Sequence, residues 1–449
     1  MGQYFKIVTL GCAKNSVDSE QLYSLLSRND FQPTAQLTEA EIIILNTCGF
    51  ITDAKQESIE MILELVKYKK RGNCKCLVMI GCLVQKYVSE LKAVLPEVDI
   101  FLGSGDLLKL PELLAGFSAG EKIVLVTQPE NYLYDDCLPR NYKLQRSYAY
   151  VKIAEGCNNF CTYCVIPEMR GVYRSRPLTS IVNEVKALTE HGISEIILIA
   201  QDTTYYGQDL SGEYLLPELL RQLVKLPKLK WLRLHYCYPE HLTTELLELI
   251  QREKKICKYL DIPLQHIADP ILKAMGRSFD TKKIKHLLAK IKKIIPGITL
   301  RSTFIVGFPG ETEAHFKELL NFLQETKFAR AGFFAYSREP NTPAARLPGQ
   351  INPQLKLERL QKATSLQSEI LAHSLAAYLG QKVHIIVDGP SSEYEGLWEG
   401  RMASDSPEID CLVYFKPQMR LKIGDFIKVS ITHSRDYALL GEIINEFGQ

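Results

Sequence analysis

The chain has 449 residues, 46% hydrophobic and 24% charged, enough for two or three domains with buried cores. Twelve cysteines are too few for a disulfide scaffold, and a formal net charge of +2 neither requires nor forbids a nucleic-acid partner. The opening MGQYFKIVTLG lacks a charged segment followed by an apolar one, and no run of about 18 apolar residues occurs, so a cytoplasmic chain with no membrane span is expected.

Residues 1–125 repeat one unit, an apolar β-rich run followed by a helical pattern. FKIVTLGC precedes SVDSEQLYSLLSRN, EIIILNTC precedes DAKQESIEMILELVKYKK, and CLVMIGC precedes LVQKYVSELKAVL. Alternating strands and helices predict a parallel sheet with right-handed crossovers. The three runs stop at Cys12, Cys48 and Cys82. Residues just past the carboxyl ends of parallel strands share one edge, where ligands bind, so these three cysteines are expected to meet. A cysteine ending a strand is often only a small hydrophobe, but three at equivalent points favour a cluster site. Cys74 and Cys76 fall at the other end of the third run, about 20 Å away at the rise of a strand, and are left out.

Residues 126–146 carry no sustained period and read as a linker. From 147 to 377, a second series of strand–helix units predicts a full or partial β/α barrel. Its strands include SYAYVKIAEGC, EIILIAQD, KWLRLHYCYP, YLDIPLQH, LRSTFIVGFPGE and RAGFFAYSREP. Gln201, Asp202, His235, Gln265 and His266 gather at its predicted strand ends. From 378 to 449, short β runs with turns predict a small β-barrel. Cys137, Cys257 and Cys411 fit no pattern and read as structural. Cys237, ending a barrel strand, reads as packing although a cavity-facing position is open to it.

The first strand of the second series runs into EGCNNFCTYCVIPEMRG, which sets Cys157, Cys161 and Cys164 in a C-x₃-C-x₂-C spacing. Three thiolates can take three corners of a cubane and leave the fourth iron open; the competing reading is a zinc site with a distant fourth ligand. The spacing at a barrel strand end resembles the radical S-adenosylmethionine (SAM) superfamily, in which the methionyl amine and carboxylate of SAM occupy the open iron. The resemblance implies that Tyr163 lies beside the adenine, against an alternative role as a packing aromatic. Gln201 and Asp202 are further candidate SAM contacts.

Two three-cysteine sets on separate domains resemble the methylthiotransferases, a radical SAM family, over essentially the whole chain. The family pattern is an N-terminal cluster domain, a radical SAM barrel and a C-terminal TRAM-like β-barrel. LGCAKNSVDSE, NTCGFI, CTYCVIPEMRG, LDIPLQH, LRSTFIVGFPGET and GRMASDSPEID are similar to the branch that modifies a ribosomal protein. The branch acting on tRNA tends to show GCQMN and NTCAV at the first two cysteine sites. Cys237 and Glu168 depart from the pattern, away from the six cysteines. The resemblance implies two 4Fe-4S clusters, one on Cys12, Cys48 and Cys82 and one on Cys157, Cys161 and Cys164. It also implies SAM as cofactor, an electron donor, and as substrate the β-carbon of an aspartate in small-subunit ribosomal protein twelve. The second cluster would reduce SAM to a 5′-deoxyadenosyl radical that takes a hydrogen from the aspartate, and the first would present a methylated sulfur. Acid–base catalysis contributes about 10²–10⁴-fold and does not readily activate such a C–H bond; a radical cofactor does.

Residues 378–449 hold 7 Lys+Arg against 11 Asp+Glu. An acidic terminal barrel suits a basic ribosomal protein better than a phosphate backbone, and Glu393, Glu395, Glu399, Asp405, Glu408 and Asp410 are the expected steering patch. Both triads precede Tyr378, so SAM cleavage is expected to be separable from this domain, provided the newly exposed surface does not destabilise the barrel. Methylthiolation of a tRNA adenosine is the alternative reading, and a non-catalytic iron–sulfur carrier or assembly module is the alternative of another class.

Overall fold

A computed structural model describes residues 3–131, 140, 146–418 and 420–444. Cys137 and most of the expected linker lie outside the described residues.

The first domain runs β1 (Tyr4–Thr9), α1 (Ala13–Arg28), β2 (Gln32–Pro33), β3 (Ile42–Thr47), α2 (Thr52–Arg71), β4 (Cys76–Gly81), α3 (Cys82–Val94), β5 (Ile100–Leu102), α4 (Leu110–Ala115) and β6 (Ile123–Leu125). Its parallel strands stand in the order β2-β1-β3-β4-β5-β6. Every residue of β3 and β4 is buried, as the unbroken apolar runs require of a sheet covered on both faces. Ile43, Leu45, Leu77 and Met79 pack against α2 and α3 on one face. Ile42, Ile44, Val78 and Ile80 pack against α1 and α4 on the other. The strand order reverses between β1 and β3, which opens a crevice beyond their carboxyl ends. Cys76 opens β4, and Cys74 and Cys76 are buried at the amino edge, away from that crevice.

The central domain begins with β7 (Tyr148–Lys152) and the short pair β8 (Ala154–Glu155) and β9 (Arg174–Ser175), which flank the helix α5 (Ile166–Arg170). It continues through β10 (Glu195–Ile199), β11 (Trp231–Leu234), β12 (Ile256–Asp261), β13 (Thr299–Val306) and β14 (Arg330–Ala335). These strands form a parallel sheet in the order β14-β13-β12-β11-β10-β7, so the barrel is partial. Helices between the strands bury one apolar face against its outer side, for example Leu219, Leu220 and Leu223 of Leu216–Val224. Cys237 belongs to this core and has no exposure.

The terminal domain is a closed barrel of β15 (Lys382–Pro390), β16 (Trp398–Met402), β17 (Leu412–Phe415), β18 (Phe426–Arg435) and β19 (Ala438–Ile443). Its segment 403–411, between β16 and β17, is built into the central domain. Arg330 pairs with Asp405, and Tyr259 donates to Asp410 at 2.7 Å. His235 bonds Ser406 at 2.7 Å, and Tyr148 donates to Glu408 at 2.7 Å. Nearby, Arg401 of β16 meets Glu195 at 2.8 Å, and Glu195 also accepts from Arg233 at 2.7 Å.

This overturns part of the expected steering patch. The carboxylates of Asp405 and Asp410 are buried and paired, so they cannot belong to an exposed steering patch; Glu393 and Glu395 remain exposed. His235 does follow the end of β11 as expected; it bonds Ser406, and burial holds its ring near a pKa of about 3, neutral at pH 7. The terminal domain is therefore part of the central domain's structure, and SAM cleavage is not expected to survive its removal. Asp405→Ala strands the buried Arg330 guanidinium and should cost about 3–5 kcal/mol, read as a fall in the unfolding midpoint of both domains together.

Candidate active site

The two cysteine triads lie on the two sides of the junction between the first and central domains, where Cys82 touches Arg170, Val165 and Met169. Cys12 is the residue before α1, Cys48 follows β3, and Cys82 opens α3. Two of the three therefore sit at helix N-termini, where peptide dipoles favour a thiolate. A Cβ on Gly11 would fall 2.7 Å from Cys48 Cβ and 3.1 Å from its sulfur, so this close approach of the two loops requires glycine there. The strand ends are cross-tied by the polar residues of the same motifs. Asn15 donates to the carbonyls of Leu10 at 2.9 Å and Thr47 at 3.0 Å, and Asn46 donates to the carbonyl of Asn15 at 3.0 Å. Burial is the main force that pushes the Cys48 thiol up to about 12, and its neighbours Cys12 and Cys82 add to it.

Cys157, Cys161 and Cys164 lie on the loop between β8 and α5. The loop turns at Gly156, where a Cβ would stand 2.0 Å from the carbonyl oxygen of Val172. It is anchored by Thr162, whose amide and hydroxyl donate to the carbonyls of Met275 at 3.0 Å and Ala274 at 2.7 Å. Arg277 holds a guanidinium nitrogen 3.7 Å from the Cys161 sulfur. Burial pushes the Cys157 thiol up to about 11. Thiols held this far up lose their protons when a cation takes their place.

Arg170 joins the two triads. It ends α5, six positions after Cys164, and its Nε donates to the Cys82 sulfur at 3.1 Å. Its other nitrogens reach Asp18 at 2.9 Å and Asn15 Oδ1 at 2.7 Å. Lys152 at the end of β7 pairs with Asp18 and with Glu155, the latter at 2.8 Å, and Glu155 also accepts from Gln201 at 2.7 Å. Cys82, Val165 and Met169 form a small apolar contact beneath, and Lys86 pairs with Glu168 at 2.8 Å. None of Asn15, Asp18, Lys152, Glu155 and Arg170 was singled out from sequence. The signal available was their place in LGCAKNSVDSE, EGC and PEMRG, where polar residues adjoin cysteines.

Of the candidate SAM contacts, Tyr163 is half-buried against Phe308, with ring centroids 6.3 Å apart. Among the described residues, Gln201 keeps a buried Oε1 without a hydrogen-bond partner, as does Gln265. Asp202, the third candidate, is hydrogen-bonded within the fold. One oxygen caps the turn 203–205, and the other accepts from Asn159 at 3.0 Å and meets His241 at 2.9 Å. Its task is to hold the cysteine loop through Asn159. Burial keeps His266 near a pKa of about 3.

The donor set fits iron–sulfur chemistry. Each triad offers three thiols, one of which receives an N–H from an arginine, and orphaned acceptors stand at the strand ends. Among the described residues, no three His, Cys, Asp or Glu side chains converge as around a single ion. A cubane is a larger body, held at its corners.

Each of the three domains matches a known family. Residues 4–103 match the model of Uncharacterized protein family UPF0004, 151–323 the Radical SAM superfamily and 379–444 the TRAM domain. The ribosomal protein uS12 methylthiotransferase RimO of Desulforamulus reducens is 47% identical over 437 residues, spanning 97% of this chain and 98% of that protein. This chain belongs to the uS12 methylthiotransferase family. The member from Citrifermentans bemidjiense is 45% identical over 98% of both chains. The family's two cysteine-bearing domains share their fold with more distant enzymes. The solved structure of the radical SAM methyltransferase TsrM from Kitasatospora setae, with cobalamin and a [4Fe-4S] cluster bound, superposes with a TM-score of 0.55 at 15% identity. It covers 89% of this chain and 81% of that one.

Proposed function

We propose that this enzyme attaches a methylthio group to the β-carbon of an aspartate in ribosomal protein uS12, in the cytoplasm, drawing electrons from a one-electron donor. The observation that carries the reading is the pair of cysteine triads brought to one domain junction and tied together through Arg170. Cys157, Cys161 and Cys164 are the residues to hold one four-iron cluster, and Cys12, Cys48 and Cys82 the other. When bound, the clusters and SAM supply the one-electron chemistry that an unactivated C–H bond demands. The chain's own residues do the rest. Arg277 and Arg170 direct N–H groups at one sulfur of each triad, which favours the thiolate and tunes what it holds. Asp202, through Asn159, fixes the loop between Cys157 and Cys161. The Gln201 Oε1 is an acceptor for a donor group of SAM. Segment 403–411 of the terminal domain braces the partial barrel through His235, Tyr259 and Arg330.

Protein loaded anaerobically with iron and sulfide, then given SAM, reductant and either uS12 or tRNA, should modify uS12. Product on a tRNA adenosine alone would favour the alternative substrate. Replacing Cys157, Cys161 and Cys164 together by Ala should abolish cleavage of SAM, measured as 5′-deoxyadenosine.

A further inference from the structure

Apart from the cysteines, the charged network around the triads is balanced without Lys14. Asp18 and Glu155 are engaged by Lys152 and Arg170, two carboxylates against two cations. Lys14 lies two positions after Cys12, is 8% exposed, and sets its ammonium 3.5 Å from the centre of the Tyr236 ring. Among the described residues it has no hydrogen-bond or ion-pair partner. It stands in the first turn of α1, which has no acidic residue and where the helix dipole opposes a cation. A surplus charge that is buried, unpaired and placed against the dipole is costly, and such violations of local rules mark sites of function. The surroundings are the seam between the first domain and the barrel. Ala13 and Tyr236 pack with Val17, Tyr150, Ile197 and Ile199, so this turn lies against β7 and β10 of the barrel. Tyr236 follows β11 and is held at a left-handed φ of 57°, with its amide donating to Asp261 at 3.1 Å.

We infer that Lys14 is the anchor for the carboxylate of the substrate aspartate. The inference rests on the uS12 reading above and names the residue that enforces it. A carboxylate entering beside Tyr236 completes the missing ion pair in a desolvated place, where a charge-assisted bond is strong and specific. The β-carbon is bonded directly to that carboxylate, so fixing the one positions the other beside the domain junction. The same ammonium selects against an amide and against a neutral base.

The test measures binding of uS12, and of uS12 with the target Asp changed to Asn, to the loaded enzyme by fluorescence anisotropy. Wild type should bind the Asp form about thirtyfold more tightly, which is about 2 kcal/mol at 1.4 kcal/mol per tenfold. Lys14→Met and Lys14→Gln should each erase the preference by weakening the Asp form alone, and Lys14→Arg should keep most of it. Iron content and unfolding midpoint, taken alongside, report loading and folding. A preference that persists in Lys14→Met or Lys14→Gln overturns the assignment while the uS12 reading stands. If the preference persists while iron is lost, the ammonium serves the cluster instead. If wild type neither distinguishes nor modifies uS12, the substrate reading itself fails and the anchor with it.

Discussion

With Cys12, Cys48 and Cys82 all replaced by Ala, SAM should still be cleaved to 5′-deoxyadenosine while methylthiolated uS12 disappears. The expectation follows from the division of labour between the triads. Cys157, Cys161 and Cys164 are carried by a loop anchored on the central domain, at Met275 and Ala274, so their site does not depend on thiols of the first domain. Iron should fall from about eight to about four atoms per chain, as one cubane is lost. Cys12, Cys48 and Cys82 sit at strand ends outside the apolar cores of the first domain, apart from the contact of Cys82 with Val165 and Met169. Their truncation should therefore leave the sheet folded. Methylthio product from the triple variant would show that sulfur is presented elsewhere.

Arg170→Met should be nearly as damaging, by a different route. Methionine replaces much of the stem but leaves Asp18 and Glu155 buried with the ion pairs to Lys152 alone among those described, and removes the donor to Cys82. Breaking a buried pair in this way costs about 3–5 kcal/mol. The cost should appear as a lower unfolding midpoint of the first domain and as loss of its iron. Arg170→Lys restores charge without the planar fork that serves Cys82, Asp18 and Asn15 together, and should recover stability more than iron. Equal iron in all three proteins would mean that Arg170 only holds the domains together.

What the sequence made legible was set by local periodicity. The unbroken runs of β3 and β4, the cysteine at each strand end and the C-x₃-C-x₂-C spacing are properties of short segments, and they placed both triads. The reversal of strand order between β1 and β3, which explains why Cys12 and Cys48 face one crevice, is a property of topology and has no local trace. Long-range polar pairing was equally hidden. Asp405 and Asp410 look like surface carboxylates in an acidic domain until Arg330 and Tyr259, far away in sequence, are found against them. Lys14 reads as an ordinary polar helix residue, and only the burial of its neighbours' charges in closed pairs leaves it conspicuous. Asp202 shows the same limit from the other side: its strand-end position suggested a contact to SAM, and its bonds to the turn 203–205, Asn159 and His241 had no local trace.

The central claim is tested most directly by the mass of uS12 isolated from cells with and without this gene, followed by fragmentation of the peptide that differs. The account predicts that uS12 from cells carrying the gene is heavier by one methylthio group, located on the side chain of a single aspartate, and that the addition is absent when the gene is removed. Identical uS12 masses, with a methylthio group lost from tRNA instead, would contradict it.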